Sequence, residues 1–152
     1  MDEQVYLVQR HMSNDRKNWQ QEKVYTYRIS KGTLIRTEDN LSTVCLIFPP
    51  NNGKTWDGNV YNTLPEEYYF LDLLDNYQLE QRSFNQAAKV IKSEEDDLIT
   101  LRDQRYEVYV KDIGMVESYH EVLTYCSRND CLGEQIVDFG RFVHLKLISH
   151  GI

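Results

Sequence analysis

Arg105-Tyr106-Glu107-Val108-Tyr109-Val110-Lys111 is the stretch on which the fold turns. Tyr106, Val108 and Val110 occupy alternate positions and oppose Glu107, Tyr109 and Lys111. That is the period of a β-strand with two different faces, and Tyr and Val are residues that pack well on a pleated surface. Asp112-Ile113-Gly114 then reads as a bend. Residues 115–125 follow, and Val116, Tyr119 and Leu123 in them would also fit one helical stripe. The density of Tyr, Val and Thr favours a second strand.

Working outward, the same signal recurs about every 8–14 residues. Residues 4–12 place Val5 and Leu7 on one face and Tyr6 and Val8 on the other. Residues 24–30 align Tyr25, Tyr27 and Ile29, and Lys31-Gly32 reads as a turn into residues 33–37. Residues 43–48 are apolar on both faces, as in a strand covered on both sides, and stop at Pro49-Pro50-Asn51-Asn52-Gly53. Residues 66–74 are ambiguous between a strand and two helical turns. Residues 77–84, 87–93 and 98–102 read as strands, the last two separated by Glu94-Glu95-Asp96-Asp97. Residues 134–139, a break at Gly140, and residues 141–149 complete the series. The expectation is a mainly β protein, a single domain over residues 1–152, with about eight to ten antiparallel strands curved into a half-barrel or open barrel and at most one or two helices.

Composition agrees. Hydrophobic residues make up 41% of the 152, with only 7 Gly and 3 Pro, which excludes collagen-like and disordered chains. Seventeen basic against 24 acidic residues leave a net charge of −7. A protein this acidic, with no run of Lys and Arg, is a poor nucleic-acid or anionic-lipid binder.

Few motifs carry chemistry. Gly53-Lys54-Thr55 lacks the glycine five positions earlier that a phosphate loop requires, since Phe stands at position 48. His11, His120, His144 and His150 fall at no metal spacing, and Cys126 and Cys131 have no second pair to complete a zinc site, so neither metal nor cofactor is expected. The two cysteines instead flank the turn-rich Ser127-Arg128-Asn129-Asp130, across which they can face each other as a disulfide in an oxidising compartment. Cys45, in the most apolar strand, reads as a small core residue. A hydrolase could be assembled from Asp112, Ser118 and His120, or from the carboxylates Glu66, Glu67 and Asp112, yet no nucleophile-elbow glycines surround any serine. The one excess is aromatic: 11 Tyr, 5 Phe and 2 Trp. A half-buried sheet face accounts for many of them, and a concave aromatic surface for an apolar or glycan-like ligand is the functional reading. Trp56 and Tyr61, in the loop over residues 49–62, are the candidate binding residues, with Trp56 as a plug over the sheet end as the competing account.

Two motifs resemble a known family. Leu46-Ile47-Phe48-Pro49 with Thr55-Trp56-Asp57-Gly58-Asn59-Val60-Tyr61-Asn62 precedes Tyr106-Glu107, Tyr109-Val110-Lys111 and Ile113-Gly114-Met115-Val116. The order and spacing resemble those of an uncharacterised family of bacterial cell-envelope proteins, mostly lipoproteins or hypothetical proteins, over residues from Gln4 onward. Asp57 stands where Asn is common, and Val110-Lys111-Asp112 replaces a run of small residues. The resemblance implies no catalytic residue. It implies an exported, envelope-located protein whose full-length members carry a signal, a lipid-anchored Cys and further strands ahead of the segment matching residues 4–12. Membrane attachment is then expected only through that anchor. The expectation for function is a non-catalytic protein that binds a ligand or an envelope partner through its aromatic sheet or loop surface. The alternatives are a hydrolase with an acid/base site near Asp112 and His120, or a structural subunit of an envelope assembly.

Overall fold

The computed structural model describes residues 3–151. Its strands are β1 (Gln4–Met12), β2 (Gln20–Ser30), β3 (Thr33–Glu38), β4 (Leu41–Ile47), β5 (Thr55–Asp57), β6 (Tyr68–Leu79), β7 (Arg82–Asp96), β8 (Leu101–Val110), β9 (Gly114–Tyr125) and β10 (Val137–Lys146). The protein is mainly β, with two antiparallel sheets and no helix among the described residues; neither sheet closes into a barrel.

Two compact units make up the protein. The first comprises residues 1–50 and 57–68. Its four strands form a meander in the order β1-β2-β3-β4. Lys31-Gly32 turns β2 into β3 with both residues at positive φ, as their sequence implies, and Asp39-Asn40 does the same between β3 and β4. Ile35, Val44, Cys45 and Leu46 are its buried apolar residues, so Cys45 is a core residue. The segment after β5 is tied down by polar side chains. Asp57 accepts from the backbone N–H groups of Asn59 and Glu67 at 2.9 and 3.0 Å. Buried Asn59 donates to the Pro65 carbonyl at 2.8 Å, and Asn62 donates to the Ser42 carbonyl at 2.9 Å. The Asp57–Asn62 motif is therefore architectural: its amides satisfy backbone groups that no strand ladder reaches.

The second unit comprises residues 51–56 and 69–152. Its sheet runs β10-β9-β8-β7-β6-β5. The ambiguous residues 66–74 are strand from Tyr68 onward, and residues 115–125 are strand throughout. Three expectations are corrected. Residues 77–84 are a hairpin, with the end of β6, a turn at Glu80-Gln81 and the start of β7, because Glu80 takes a positive φ. Residues 98–102 are mostly a turn, since Asp97 Oδ1 accepts from the backbone N–H of Ile99, Thr100 and Leu101 and holds the backbone out of the ladder until β8 begins. Gly140 does not break a strand; it lies within β10. Gly114, at φ +104, supplies the β8–β9 bend read from the sequence.

This sheet curls. In a flat sheet β6 and β9, three ladder spacings apart, would be about 14 Å apart. Here the Tyr77 hydroxyl on β6 donates to the Glu117 carboxylate on β9. Lys146 on β10 donates to Glu80 at the β6–β7 turn, and Arg82 to the Ile148 carbonyl just past β10. Leu79, Ala87, Val108 and Val116 are buried inside the curl, with Phe84, Ile113 and Leu147 packed on them.

Candidate functional site

The inner face of the curled sheet carries a continuous row of rings. On β9, residues Glu117, Tyr119 and Glu121 alternate onto this face. Register places Tyr106 of β8 opposite Tyr119, and His144 of β10 on Tyr119's other side. The Tyr106 and Tyr119 rings stack at 5.1 Å with planes 3° apart. Phe142 and His144 meet Tyr119 edge-on at 5.5 and 5.0 Å. The Lys89 ammonium sits 4.3 Å from the centre of the Tyr106 ring, a cation–π contact.

Two carboxylates fix these rings. Glu117 is buried and accepts from the Tyr77 hydroxyl, from the Tyr106 hydroxyl at 2.9 Å, and lies 2.8 Å from His144 Nε2. Glu121 accepts from the Tyr119 hydroxyl at 3.2 Å and is held by Arg102, whose guanidinium also reaches Asp96 at 2.9 Å. Tyr125 donates to the same Asp96 at 3.0 Å. Burial, and then the neighbouring Tyr119, push the Tyr106 phenol up; burial and Glu121 do the same for Tyr119. Both phenols therefore stay protonated as donors at neutral pH. The result is a partly buried aromatic cluster: Tyr106 is stacked on Tyr119 and capped by Lys89, both tyrosine hydroxyls are engaged by carboxylates, and Phe142 is its most exposed ring.

The residues singled out from the sequence are not members of this row. Trp56 is only 8% exposed, with its ring edge-on to Tyr69 at 6.0 Å, so it is packed in the second unit. Tyr61 is 55% exposed and belongs to the first unit. Asp112 is in the β8–β9 turn at φ +66, whereas His120 lies six residues into β9, about 20 Å along the strand. Ser118 faces Glu107 across the ladder. Asp112 is thus not gathered with Ser118 and His120, and His120 points to the sheet face opposite the aromatic row. Cys126 and Cys131 are buried, bonded to each other, and 5.9 Å apart at Cα. The Asp130 carboxylate is within 4.8 Å of both sulfurs, but sulfurs bonded to each other offer no thiolate to a metal.

Glu117, Tyr119, Glu121 and His144 escaped the sequence reading. The signal was present as Glu-x-Tyr-x-Glu over residues 117–121. It requires knowing that this segment is a strand and which face curls inward. No protein-family model, curated protein or solved structure matches the sequence or its fold.

Proposed function

We propose that this is a non-catalytic binding protein of the bacterial cell envelope that receives a glycan-like ligand on the aromatic row of its six-stranded sheet. The observation that carries the reading is the Tyr106–Tyr119 stack flanked by Phe142 and His144. Tyrosine rings held in place by neighbouring rings and by carboxylates offer apolar area and ring edges to a sugar at little conformational cost. The non-catalytic part rests on Glu117: its carboxylate is occupied by Tyr77, Tyr106 and His144, which suits an anchor for rings better than a base awaiting a proton. The envelope assignment rests on the motif resemblance alone.

The test is a titration with chitotetraose, followed through the ring resonances of Tyr106 and Tyr119. Saturable shifts that vanish in Tyr119→Ala, while the folded state persists, support the reading. Unmoved resonances at millimolar sugar overturn it. Hydrolysis of the probe would replace it with an acid/base enzyme centred on Glu117 and His144.

A further inference from the structure

On the opposite face of the same sheet lies an open depression of about 600 Å³. Asp103 and Arg105 of β8, His120 and Val122 of β9, and Phe139 and Arg141 of β10 line it. Its shape comes from a local irregularity. The β9–β10 register slips between Val137 and Phe139, and Gly140 lets the two backbones close up. A Cβ at Gly140 would stand 2.4 Å from the Val122 carbonyl oxygen. The bulge re-aims Phe139, which is 68% exposed beside the depression.

The charges in it are unequal. Arg105 forms a forked pair with Asp103 at 2.6 and 3.0 Å, and Lys92 is paired with Glu107 at 2.9 Å. Arg141, opposite Val122 in the register, has no carboxylate partner among the described residues. In a protein of net charge −7, this floor carries one uncompensated guanidinium beside an exposed ring.

We propose that this depression binds a monocarboxylate with an apolar body, its carboxylate on Arg141 and its body against Phe139 and Val122. A planar guanidinium matches a carboxylate with two parallel hydrogen bonds, and the exposed ring supplies apolar area next to it. A dianion such as phosphate fits less well, because Asp103 shares the floor and only one cation is uncompensated. The groups facing His120 are Arg105, Asp103 and Glu107 from β8, Lys92 from β7 and Arg141 from β10. Burial first, then Arg105 and Arg141, hold its imidazole below the ordinary value. A bound carboxylate offsets those cations and raises it, so His120 reports occupancy.

The experiment is an NMR titration of the His120 ring signals with benzoate, alongside inorganic phosphate and neutral benzyl alcohol. Benzoate is expected to shift them saturably and to raise the imidazole pKa, with the two comparators at least tenfold weaker. Arg141→Gln should weaken benzoate at least tenfold, whereas Lys111→Gln, the same charge change in the β8–β9 turn, should not. N-acetylphenylalaninate binding tighter than benzoate would identify a peptide's terminal carboxylate as the natural occupant; the reverse order would identify a free acid. Unmoved His120 signals, phosphate acting as strongly as benzoate, or equal weakening by R141Q and K111Q would each overturn the proposal. Unchanged Tyr106 and Tyr119 signals in the variants show that the fold is retained. They also keep this result separate from the sugar titration on the other face.

Discussion

Tyr77 and Glu117 are forty residues apart in sequence and lie on strands separated by two others, yet the Tyr77 hydroxyl donates to the Glu117 carboxylate. The bond spans the inside of the curl and ties β6 to β9 without closing the sheet. It places a buried carboxylate where an open sheet would otherwise hold only apolar side chains, and that carboxylate orients the aromatic row.

Removing it should be expensive. Glu117→Ala leaves the Tyr77 and Tyr106 hydroxyls and the His144 ring without their acceptor, and a broken buried network of this kind costs about 3–5 kcal/mol. Glu117→Gln keeps an acceptor oxygen and should lose about 1–2 kcal/mol. Urea unfolding of the two variants checks the order. Equal losses would mean that packing, not hydrogen bonding, is what Glu117 provides.

The Cys126–Cys131 bond closes a short loop, at a sequence separation of 5. The chain-entropy relation gives about 2 kcal/mol for a loop of that length. The Cys126→Ser, Cys131→Ser double variant should therefore unfold at lower urea than the parent under non-reducing conditions. Added dithiothreitol should bring the parent down toward the variant. Mass spectrometry of alkylated protein from an oxidising compartment should find one free thiol, Cys45.

His120 sets a pH dependence whose sign follows from its environment. Burial, then Arg105 and Arg141, lower its folded pKa from the ordinary 6.5, so the unfolded state takes up the proton first. Stability is then full above about pH 7 and declines as pH falls through the unfolded value, levelling once the folded imidazole is also protonated. The urea midpoint of the parent should drop between about pH 7.5 and pH 5.5. His120→Gln should drop by less over the same interval. An unchanged slope would show that His120 titrates alike in both states.

Much of the fold was legible in the sequence, and the reasons are local. Period-2 alternation in residues 105–111 marks β8, and Lys31-Gly32 marks a turn because few residue pairs accept positive φ at both positions. The 126–131 pairing was legible because a short turn-rich loop leaves two cysteines little choice. The failures have one physical origin: information that sits across the sheet and not along the backbone. Glu80 at positive φ splits residues 77–84 into two strands, although its side chain is no obvious turn signal. Gly140 looks like punctuation, yet what requires glycine there is the Val122 carbonyl on the neighbouring strand. The aromatic row is likewise a property of register. Tyr106, Tyr119 and His144 come from three strands, and only pairing places them side by side.

Trp56 and Tyr61 separate packing from surface, although they lie five positions apart in one motif. Trp56 is 8% exposed and set edge-on against Tyr69. Truncating a buried Trp removes its transfer energy and leaves a cavity, so Trp56→Ala should cost about 3–5 kcal/mol. Tyr61 is 55% exposed, and Tyr61→Ala should change stability by no more than about 0.5 kcal/mol. Thermal melts of the two single variants make the comparison directly. A Trp56→Ala protein that melts like the parent would show that its ring contributes little to the fold and would favour Trp56 as a contact for ligand. A large loss at Tyr61 would instead mean that its exposed ring supports the Asp57–Asn62 motif, in which case the motif's hydrogen bonds alone do not hold it.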